Sequence, residues 1–281
     1  MYCYSGKEKK LFFSIDRLTL IASLKDENSF YHLYHYMQKL PSCYHCSRAD
    51  TSIFEFSYTI EGLGYIQFDR VDEKLRIDFN PNKITLDGRG VLNFLLSFTK
   101  DIHYSRLDLA IDLYNYEIYT YNIIDIGNRK SAYFYDRRGK VETVYSGSNK
   151  SNKYIRIYNK AVEQKINDID WWRFEIQLRD VYIDKYLTEM TEFYKDILVY
   201  KYNSIKKYSI EENAMIEFLL HDISRLSLLS KNSRSKYKKI IRDLELSSLD
   251  FFDSMLNLAT EKVVDYLNYI SCNKIYPEKS F

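Results

Sequence analysis

The sequence predicts an α+β protein: an antiparallel multi-stranded sheet with helices on one face, followed by a helical C-terminal region. Runs that alternate apolar and polar residues recur up to about residue 180, as in half-buried strands. Helical patterns are interspersed with them without strict βαβ order, which disfavours a doubly wound sheet. Beyond Arg179 the periodicity is helical and glycine is absent. We therefore predict an α+β domain at 1–180, whose element order suggests two related halves, and a helical region at 181–281.

Local patterns predict the individual elements. Asp26 is a candidate helix N-cap and Pro41 a stop signal. Gly62-Leu63-Gly64 separates two alternating runs and indicates a hairpin. Alternation predicts strands at Leu11–Leu24, Leu75–Phe79, Arg106–Leu113, Ser131–Asp136, Lys140–Tyr145, Tyr154–Lys160 and Trp172–Arg179. Helical periodicity predicts helices at Asp26–Leu40, Asp87–Lys100, Tyr119–Gly127, Tyr182–Tyr200, Ile210–Leu229, Ser233–Leu244 and Leu249–Tyr269.

Composition limits the classes of partner. The chain has 281 residues and a formal net charge of only +2, so a nucleic-acid surface must come from local clusters of cations. The opening residues do not resemble a signal peptide, and no stretch approaches the roughly 20 apolar residues that span a bilayer. We therefore expect a soluble, cytoplasmic protein without a membrane partner.

Three of the predicted strands carry chemically active residues on one face. In Tyr154–Lys160 the isoleucines point one way, and Tyr154, Arg156, Tyr158 and Lys160 point the other. The polar face of Arg106–Leu113 carries Asp108 and Asp112, and that of Trp172–Arg179 carries Arg173 and Glu175. If these strands share one sheet, a tyrosine, three carboxylates and several cations lie on one open face. Such a face is typical of metal-assisted phosphoryl transfer.

The carboxylates are candidate metal ligands. Asp108, Asp112 and Glu175 are hard oxygen donors suited to Mg²⁺ or Mn²⁺, and Asp78 is a fourth candidate on a neighbouring predicted strand. An alternative is that they only form ion pairs with Arg106, Arg156 and Arg173 across strands. A zinc site at Cys43-Tyr44-His45-Cys46 is a further alternative, but a structural site needs four ligands and no second pair occurs at finger-like spacing.

Tyr158 is a candidate nucleophile because of its setting. A free tyrosine has a pKa near 10, so only about one in a thousand is ionised at pH 7. Nearby Arg156 and Lys160 favour the phenolate, and Arg173 can bind an adjacent phosphate. Tyr154, on the same face, is better suited to packing or to stacking on a base.

A basic segment near 230–243 is the candidate element for binding duplex DNA. A short helix capped by Asn232 or Ser233 could enter a major groove. The alternative is an ordinary solvated helix face. The candidate contact residues are Lys231, Asn232, Ser233, Arg234, Ser235, Lys236, Lys238 and Lys239.

Six stretches together resemble a known family. The chain is similar to the replication initiation proteins of staphylococcal-type rolling-circle plasmids, which are related to relaxases of conjugative elements. The order and spacing of the stretches agree with the family from about residue 75 to residue 240. They are Leu75–Thr85, Arg106–Asp112, Gly139–Tyr145, Tyr154–Glu163, Trp172–Leu178 and Asn232–Ile240.

The resemblance implies an enzyme that nicks one strand of a replication origin, with Tyr158 as the nucleophile that forms a 5′-phosphotyrosyl link and frees a 3′-hydroxyl primer. It also implies origin recognition near Lys231–Ser235, a homodimer, and recruitment of a host helicase. The substrate would be duplex origin DNA with the exposed single strand of a hairpin. A mobilisation relaxase with the same chemistry and a non-catalytic module that binds single-stranded nucleic acid are the alternatives.

Overall fold

The structure is a computed structural model of the chain. It describes residues 8–46, 54–118, 121–125, 129–186, 188–189, 197–201, 208–220, 222–243 and 263. No helix in these ranges is both long enough and apolar enough to cross a membrane.

Strands make up most of the described chain up to residue 179. They are β1 (Lys10–Leu24), β2 (Cys43–His45), β3 (Phe56–Ile60), β4 (Gly64–Asp69), β5 (Lys74–Phe79), β6 (Thr99–Tyr114), β7 (Tyr121–Asp125), β8 (Ser131–Tyr135), β9 (Val141–Ser146), β10 (Lys153–Asn159) and β11 (Trp171–Arg179). Strand β12 (Ile197–Lys201) follows later in the chain. The α-helices are α1 (Glu27–Lys39), α2 (Leu86–Ser97), α3 (Lys160–Glu163), α4 (Ile210–Leu220) and α5 (Lys231–Asp243).

A ten-stranded sheet contains all of these strands except β7 and β12, in the order β2-β3-β4-β5-β1-β6-β11-β10-β9-β8. Its pairs β2–β3, β3–β4, β4–β5, β5–β1, β10–β9 and β9–β8 are antiparallel. Strands β12 and β7 form a separate antiparallel pair. The predicted α+β class, with an antiparallel sheet and C-terminal helices, is confirmed.

The chain divides into two compact units. The first unit comprises Met1–Phe12, Ile111–Glu175 and Leu187–Asn257, and the second comprises Phe13–Ala110, Ile176–Tyr186 and Leu258–Phe281. Strands β7 to β10 and helices α3 to α5 belong to the first unit, and β2 to β5, α1 and α2 to the second. The domain boundary near residue 180 stays a prediction.

Helix α1 of the second unit begins where the sequence predicts. The Asp26 side chain accepts a hydrogen bond from the Ser29 amide at 2.8 Å, which satisfies one of the unpaired donors at the helix start. The buried ring of Phe30 on α1 packs against Phe56 of β3 and Phe68 of β4, at centroid distances of 5.8 and 5.6 Å. This aromatic cluster holds α1 on the apolar face of the sheet.

Two segments with helical periodicity form strands instead. The helix prediction at Tyr119–Gly127 is wrong for the described residues 121–125, which form β7. The helix prediction at Tyr182–Tyr200 is wrong for 197–200, which belong to β12, whereas Tyr186, Thr188 and Glu189 are helical. Leu198 of β12 pairs with Ile124 of β7, and Val199 pairs with Ile123. Both strands are rich in β-branched or large apolar residues, and pairing between segments far apart in sequence outweighs a local helical pattern.

Other predicted helices end earlier than expected. The helix predicted at Asp87–Lys100 ends at Ser97, because β6 already begins at Thr99. The helix predicted at Ile210–Leu229 ends at Leu220 and is followed by a 3₁₀ helix at Ile223–Leu228. The helix predicted at Leu249–Tyr269 lies outside the described residues except for Val263.

Helices α4 and α5 form a small helical module with the 3₁₀ helix between them. Its apolar centre is contributed by all three elements, so they pack as one body in the first unit. The buried residues are Ile216, Leu219, Leu220, Leu226 and Ile241.

Candidate active site

Tyr158 lies on β10 in the first unit, where the predicted alternation holds. Ile155 and Ile157 are fully buried, while the Tyr158 side chain points to the opposite face and is 8% exposed. Antiparallel pairing with β9 sets Tyr158 opposite Thr143 and Arg156 opposite Tyr145. The cation and the tyrosine therefore lie on the same face of the sheet.

The Tyr158 hydroxyl lies between a carboxylate and an ammonium group. It donates to Glu175 Oε2 of β11 at 3.4 Å, and Lys160 Nζ donates to it at 3.3 Å. Arg156 Nη2 forms a hydrogen-bonded ion pair with Glu175 Oε1. The predicted group of Arg156, Tyr158, Lys160 and Glu175 is therefore brought together.

Lys160 reaches Tyr158 from a helix and not from the strand on which it was predicted. Strand β10 ends at Asn159, whose side chain accepts a hydrogen bond from the Val162 amide at 3.2 Å and so caps α3. Ala161 is buried against Tyr114 and Trp171, which anchors this short helix. Lys160 also forms an ion pair with Glu163.

The surroundings of Tyr158 keep its hydroxyl protonated near neutral pH. Burial raises the pKa of Tyr158 well above its ordinary value, and the Glu175 carboxylate raises that pKa further. Arg173 and Arg156 act in the opposite direction but are outweighed. A reaction of this hydroxyl as a nucleophile therefore needs a proton acceptor, and Glu175 is hydrogen-bonded to it.

The polar face is less open than the sequence suggests. Glu175 is only 1% exposed, and Trp171 to Leu178 of β11 are all buried. Strand β11 lies between β6 and β10 in the sheet order, and two of its polar side chains form ion pairs, Arg173 with Asp112 and Glu175 with Arg156. The cavity that Tyr158 lines is bordered by residues of β9, β10 and α3.

Asp112 is held in a buried ion pair. Arg173 donates to Asp112 from Nε at 2.7 Å and from Nη2 at 2.5 Å, in a bidentate arrangement. Trp171 Nε1 donates to the same carboxylate at 2.7 Å. Asp112 thus accepts three hydrogen bonds, and the guanidinium of Arg173 is committed to it.

The other predicted metal ligands also have arginine partners. Asp108 accepts from Arg106 at 2.8 and 2.6 Å, and Asp78 accepts two bonds of 2.7 Å from Arg17 and one of 3.2 Å from Arg76. Within the described ranges, no group of three or more His, Cys, Asp or Glu residues is placed to hold a metal ion. The oxygen donors suit Mg²⁺ or Mn²⁺, but these carboxylates, arranged as ion pairs, do not fit a shared metal site. A role for the metal stays a prediction.

A cavity of about 160 Å³ adjoins Tyr158 in the first unit. Sequence reasoning identified only Arg156 and Tyr158 among its lining residues. The signal for Glu142, Thr143 and Tyr145 was present, because the Gly139–Tyr145 stretch supplies most of β9, the antiparallel partner of β10. The lining residues are Glu142, Thr143, Tyr145, Arg156, Tyr158, Asn159, Val162 and Glu163.

Aromatic rings continue from the cavity across the sheet. Tyr145 stacks on Tyr154 with ring centroids 5.9 Å apart, and Tyr145 and Phe134 are in a T-shaped arrangement with centroids 5.6 Å apart. Phe134 is 53% exposed. Such a row can stack the bases of a single strand. Tyr154 packs against Tyr145 in it, and a role of Tyr154 in stacking on DNA stays a prediction.

The predicted basic helix is present as α5, with a different cap. The Ser233 amide donates to Ser230 Oγ at 3.3 Å, so Ser230 takes the capping position predicted for Asn232 or Ser233. The side chains that form the exposed basic surface are Lys231, Asn232, Ser235, Lys236, Lys238 and Lys239.

Two of the predicted contact residues are engaged within the module. Arg234 donates to the carbonyl oxygens of Leu226, Ser227 and Leu229 at 2.9, 2.8 and 3.1 Å, which ties α5 to the end of the 3₁₀ helix. Lys236 forms an ion pair of 2.6 Å with Glu212 of α4. Arg234 therefore has a structural role in this arrangement.

Comparison with known proteins agrees with this combination of features. The sequence model of the replication initiation factor family matches residues 103–267, more than half of the chain. The chain belongs to the replication initiation factor family. The match includes β10, β11 and α5, and so covers both Tyr158 and the basic helix.

Curated members of this family from Staphylococcus aureus are similar over most of the chain. Three replication initiation proteins are 34%, 35% and 32% identical over 212, 204 and 206 residues, which is 70%, 68% and 68% of this chain. The aligned parts are 66%, 63% and 63% of the relatives' own length, so slightly under two thirds is spanned. A solved rolling-circle replication initiator from Geobacillus stearothermophilus is 15% identical, with a TM-score of 0.42 over 61% of this chain and 76% of that one.

Proposed function

We propose that this chain initiates rolling-circle replication by nicking one strand of an origin. The Tyr158 oxygen attacks a phosphodiester in exposed single-stranded DNA, and the bond between phosphorus and the 3′-oxygen breaks. The tyrosine proton passes to Glu175, and the leaving 3′-oxygen takes a proton from water. The products are a 5′-phosphotyrosyl link and a free 3′-hydroxyl that primes synthesis.

The observation that carries the proposal is the position of the Tyr158 hydroxyl. A carboxylate that can accept its proton lies at 3.4 Å, and an ammonium group that can bind a phosphate oxygen lies at 3.3 Å. The Arg156 guanidinium lies 5.9 Å from the tyrosine ring and supplies a second positive charge. This set can position a phosphodiester and stabilise the charge that develops on it.

Mg²⁺ or Mn²⁺ belongs to the proposal as a cofactor that would polarise the scissile phosphate. Of the predicted ligands, Glu175 is beside the nucleophile, while Asp112 is held by Arg173 and Trp171. No step above depends on the ion. Adduct formation in chelator, Mg²⁺ and Mn²⁺ tests the requirement for it.

The proposal is tested by trapping the covalent intermediate. Purified protein is incubated with labelled hairpin-forming oligonucleotides and separated by denaturing electrophoresis. A band in which protein and label migrate together supports attack by a side chain of the protein. Bound DNA that never becomes covalent would instead support the second candidate, a non-catalytic single-strand binding module, which the row of aromatic rings favours.

The pH dependence of adduct formation is expected to reveal the proton acceptor. Because the pKa of Tyr158 is raised, its phenolate fraction is very small from pH 7 to 9 and rises about tenfold per pH unit. With Glu175 as the base, the wild-type single-turnover rate should be nearly flat over this range. The Glu175→Gln protein should form the adduct about 10²-fold more slowly at pH 7, and its rate should rise about tenfold per pH unit.

The matched control for this measurement is Glu61→Gln, an exposed carboxylate in the turn between β3 and β4. It should behave like wild type. Thermal unfolding shows whether Glu175→Gln remains folded, since Arg156 loses its ionic partner. A wild-type rate that itself rises tenfold per unit from pH 7 to 9 would contradict the assignment of Glu175.

Helix α5 is proposed to bind duplex DNA beside the nick. Binding by exposed lysines releases counterions from DNA, so log Kd depends on log salt with a slope of about 0.9 per phosphate contact. Lys238→Ala and Lys239→Ala should each reduce that slope by about one if each residue contacts one phosphate. Fluorescence anisotropy across a salt series, with a hairpin-bearing duplex, measures the slope.

The substitution Arg234→Ala tests whether Arg234 stabilises the helical module or contacts DNA. It removes hydrogen bonds to three carbonyl groups and should lower the thermal stability of the protein. Lys238→Ala should leave thermal stability unchanged, because Lys238 is exposed. If Arg234→Ala changes only the salt slope, Arg234 contacts DNA directly.

The partners implied by the resemblance form part of the same proposal. Origin DNA is the substrate, a second copy of the chain completes a dimer, and a host helicase is recruited to the nicked strand. These events would take place in the cytoplasm. A relaxase acting on a conjugative element would use the same residues, so only the sequence of the nicked origin separates these two roles.

A further inference from the structure

The cavity beside Tyr158 has the dimensions of a subsite. Its volume of about 160 Å³ is below the roughly 300–1,000 Å³ of pockets that enclose drug-sized ligands. A nucleobase is small enough to fit such a space. Because Tyr158 itself lines the cavity, a base inside it would belong to a nucleotide close to the attacked phosphate.

The walls of the cavity offer a stacking surface. Tyr145 is half-buried and contacts the rings of Tyr154 and Phe134, with centroids 5.9 and 5.6 Å from its own. Val162 adds an exposed apolar side chain from α3. A ring held in this way can receive the face of a base with little loss of side-chain entropy.

A β-bulge brings a carboxylate residue to the same cavity. Phe134 of β8 pairs with Thr143 of β9, but the next residue of β8, Tyr135, pairs with Val141, so Glu142 is the extra residue. Bulges re-aim a side chain out of the regular alternation and occur often beside active sites. In a regular strand, Glu142 and its neighbour Thr143 would point to opposite faces of the sheet. The bulge explains why both residues line the cavity.

We propose that this cavity holds one base of the single-stranded substrate, stacked on Tyr145, and that Glu142 accepts a hydrogen bond from an exocyclic amino group of that base. Cytosine, adenine and guanine carry such a group. Thymine has no exocyclic amino group, and its one N3–H donor lies between two carbonyl oxygens that a carboxylate repels, so the site selects against it. The inference rests on the proposed function for the identity of the substrate.

The test compares two probes that differ mainly in this group. Oligo(dC) and oligo(dT) of equal length have the same backbone charge and similar ring size. Their affinities are measured by fluorescence anisotropy at fixed salt with Tyr158→Phe protein, so that no cleavage interferes. Oligo(dC) should bind about tenfold more tightly.

Further substitutions in the Tyr158→Phe protein identify the residue that recognises the base. Glu142→Gln should reduce the preference for oligo(dC) to about twofold or less, because an amide can pair with either base. Tyr145→Leu should lower the affinity for both probes by about tenfold, because the stacking contact is lost. Glu61→Gln, a carboxylate that does not line the cavity, should change neither affinity.

Equal affinities for the two probes, or a preference that survives Glu142→Gln, would overturn the inference. The outcome is independent of catalysis. If no covalent adduct ever forms but the preference depends on Glu142, the nickase proposal fails and the base site stands. If adducts form and the preference is absent, the base site fails and the nickase stands.

Discussion

Tyr158→Phe is expected to reduce covalent attachment to DNA by at least about 10³-fold and to leave DNA affinity within about twofold. The change removes one oxygen and keeps the ring, so packing on β10 and contacts with bases are preserved. The lost hydrogen bonds, at 3.4 and 3.3 Å, are long, and we expect the free energy of unfolding to change by no more than about 1 kcal/mol. Adduct yield on denaturing gels and anisotropy measure the two effects.

Tyr135→Phe is the matched control for this experiment. Tyr135 is an exposed tyrosine on β8 that lies outside the cavity lining and the aromatic row. Its hydroxyl can be removed without any expected effect on adduct yield. An undiminished adduct in Tyr158→Phe would mean that another tyrosine attacks, whereas equal loss of adduct and of DNA binding would mean that Tyr158 serves binding alone.

Asp112→Ala is expected to lower the free energy of unfolding by about 3–5 kcal/mol. The substitution leaves the buried guanidinium of Arg173 without its bidentate partner and the indole of Trp171 without its acceptor. An unpaired buried charge costs far more than the ion pair contributes. Chemical denaturation monitored by tryptophan fluorescence measures the loss.

The double variant Asp112→Ala with Arg173→Leu is the control for this prediction. Removing both charges should recover much of the loss, because no ion remains uncompensated. If Asp112→Ala keeps wild-type stability and loses only metal-dependent adduct formation, Asp112 is a metal ligand and the ion pair is incidental. The two results separate the interpretations that the sequence leaves open for this residue.

The sequence predicts which side chains share a face of a strand better than it predicts which strands pair with each other. Alternation alone sets Tyr158 and Arg156 on one face of β10 and Glu175 on the corresponding face of β11, because a half-buried strand must send its apolar residues one way. The helix cap at Asp26 was also predictable from local sequence. An aspartate just before a helical pattern can accept hydrogen bonds from the unpaired backbone amides of the first turn. These rules act within a few residues.

Features that depend on distant segments could not be predicted. The pairing of β7 with β12 joins residues far apart in sequence, and no local pattern specifies it. A run of basic residues gives no sign that the Arg234 side chain hydrogen-bonds to backbone carbonyl groups at the end of the 3₁₀ helix. The bulge at Glu142 shifts one residue against its neighbours, which alternation cannot anticipate.

The most direct test of the central claim maps the amino acid that carries the DNA. The covalent adduct is digested with nuclease and trypsin, and the peptides are identified by mass spectrometry. Arg156 and Lys160 are tryptic sites on either side of Tyr158, so the peptide Ile157–Lys160 contains this tyrosine and no other, and Tyr154 falls in a separate peptide. The account predicts a nucleotide mass on Ile157–Lys160, and a nucleotide mass on any other peptide would contradict it.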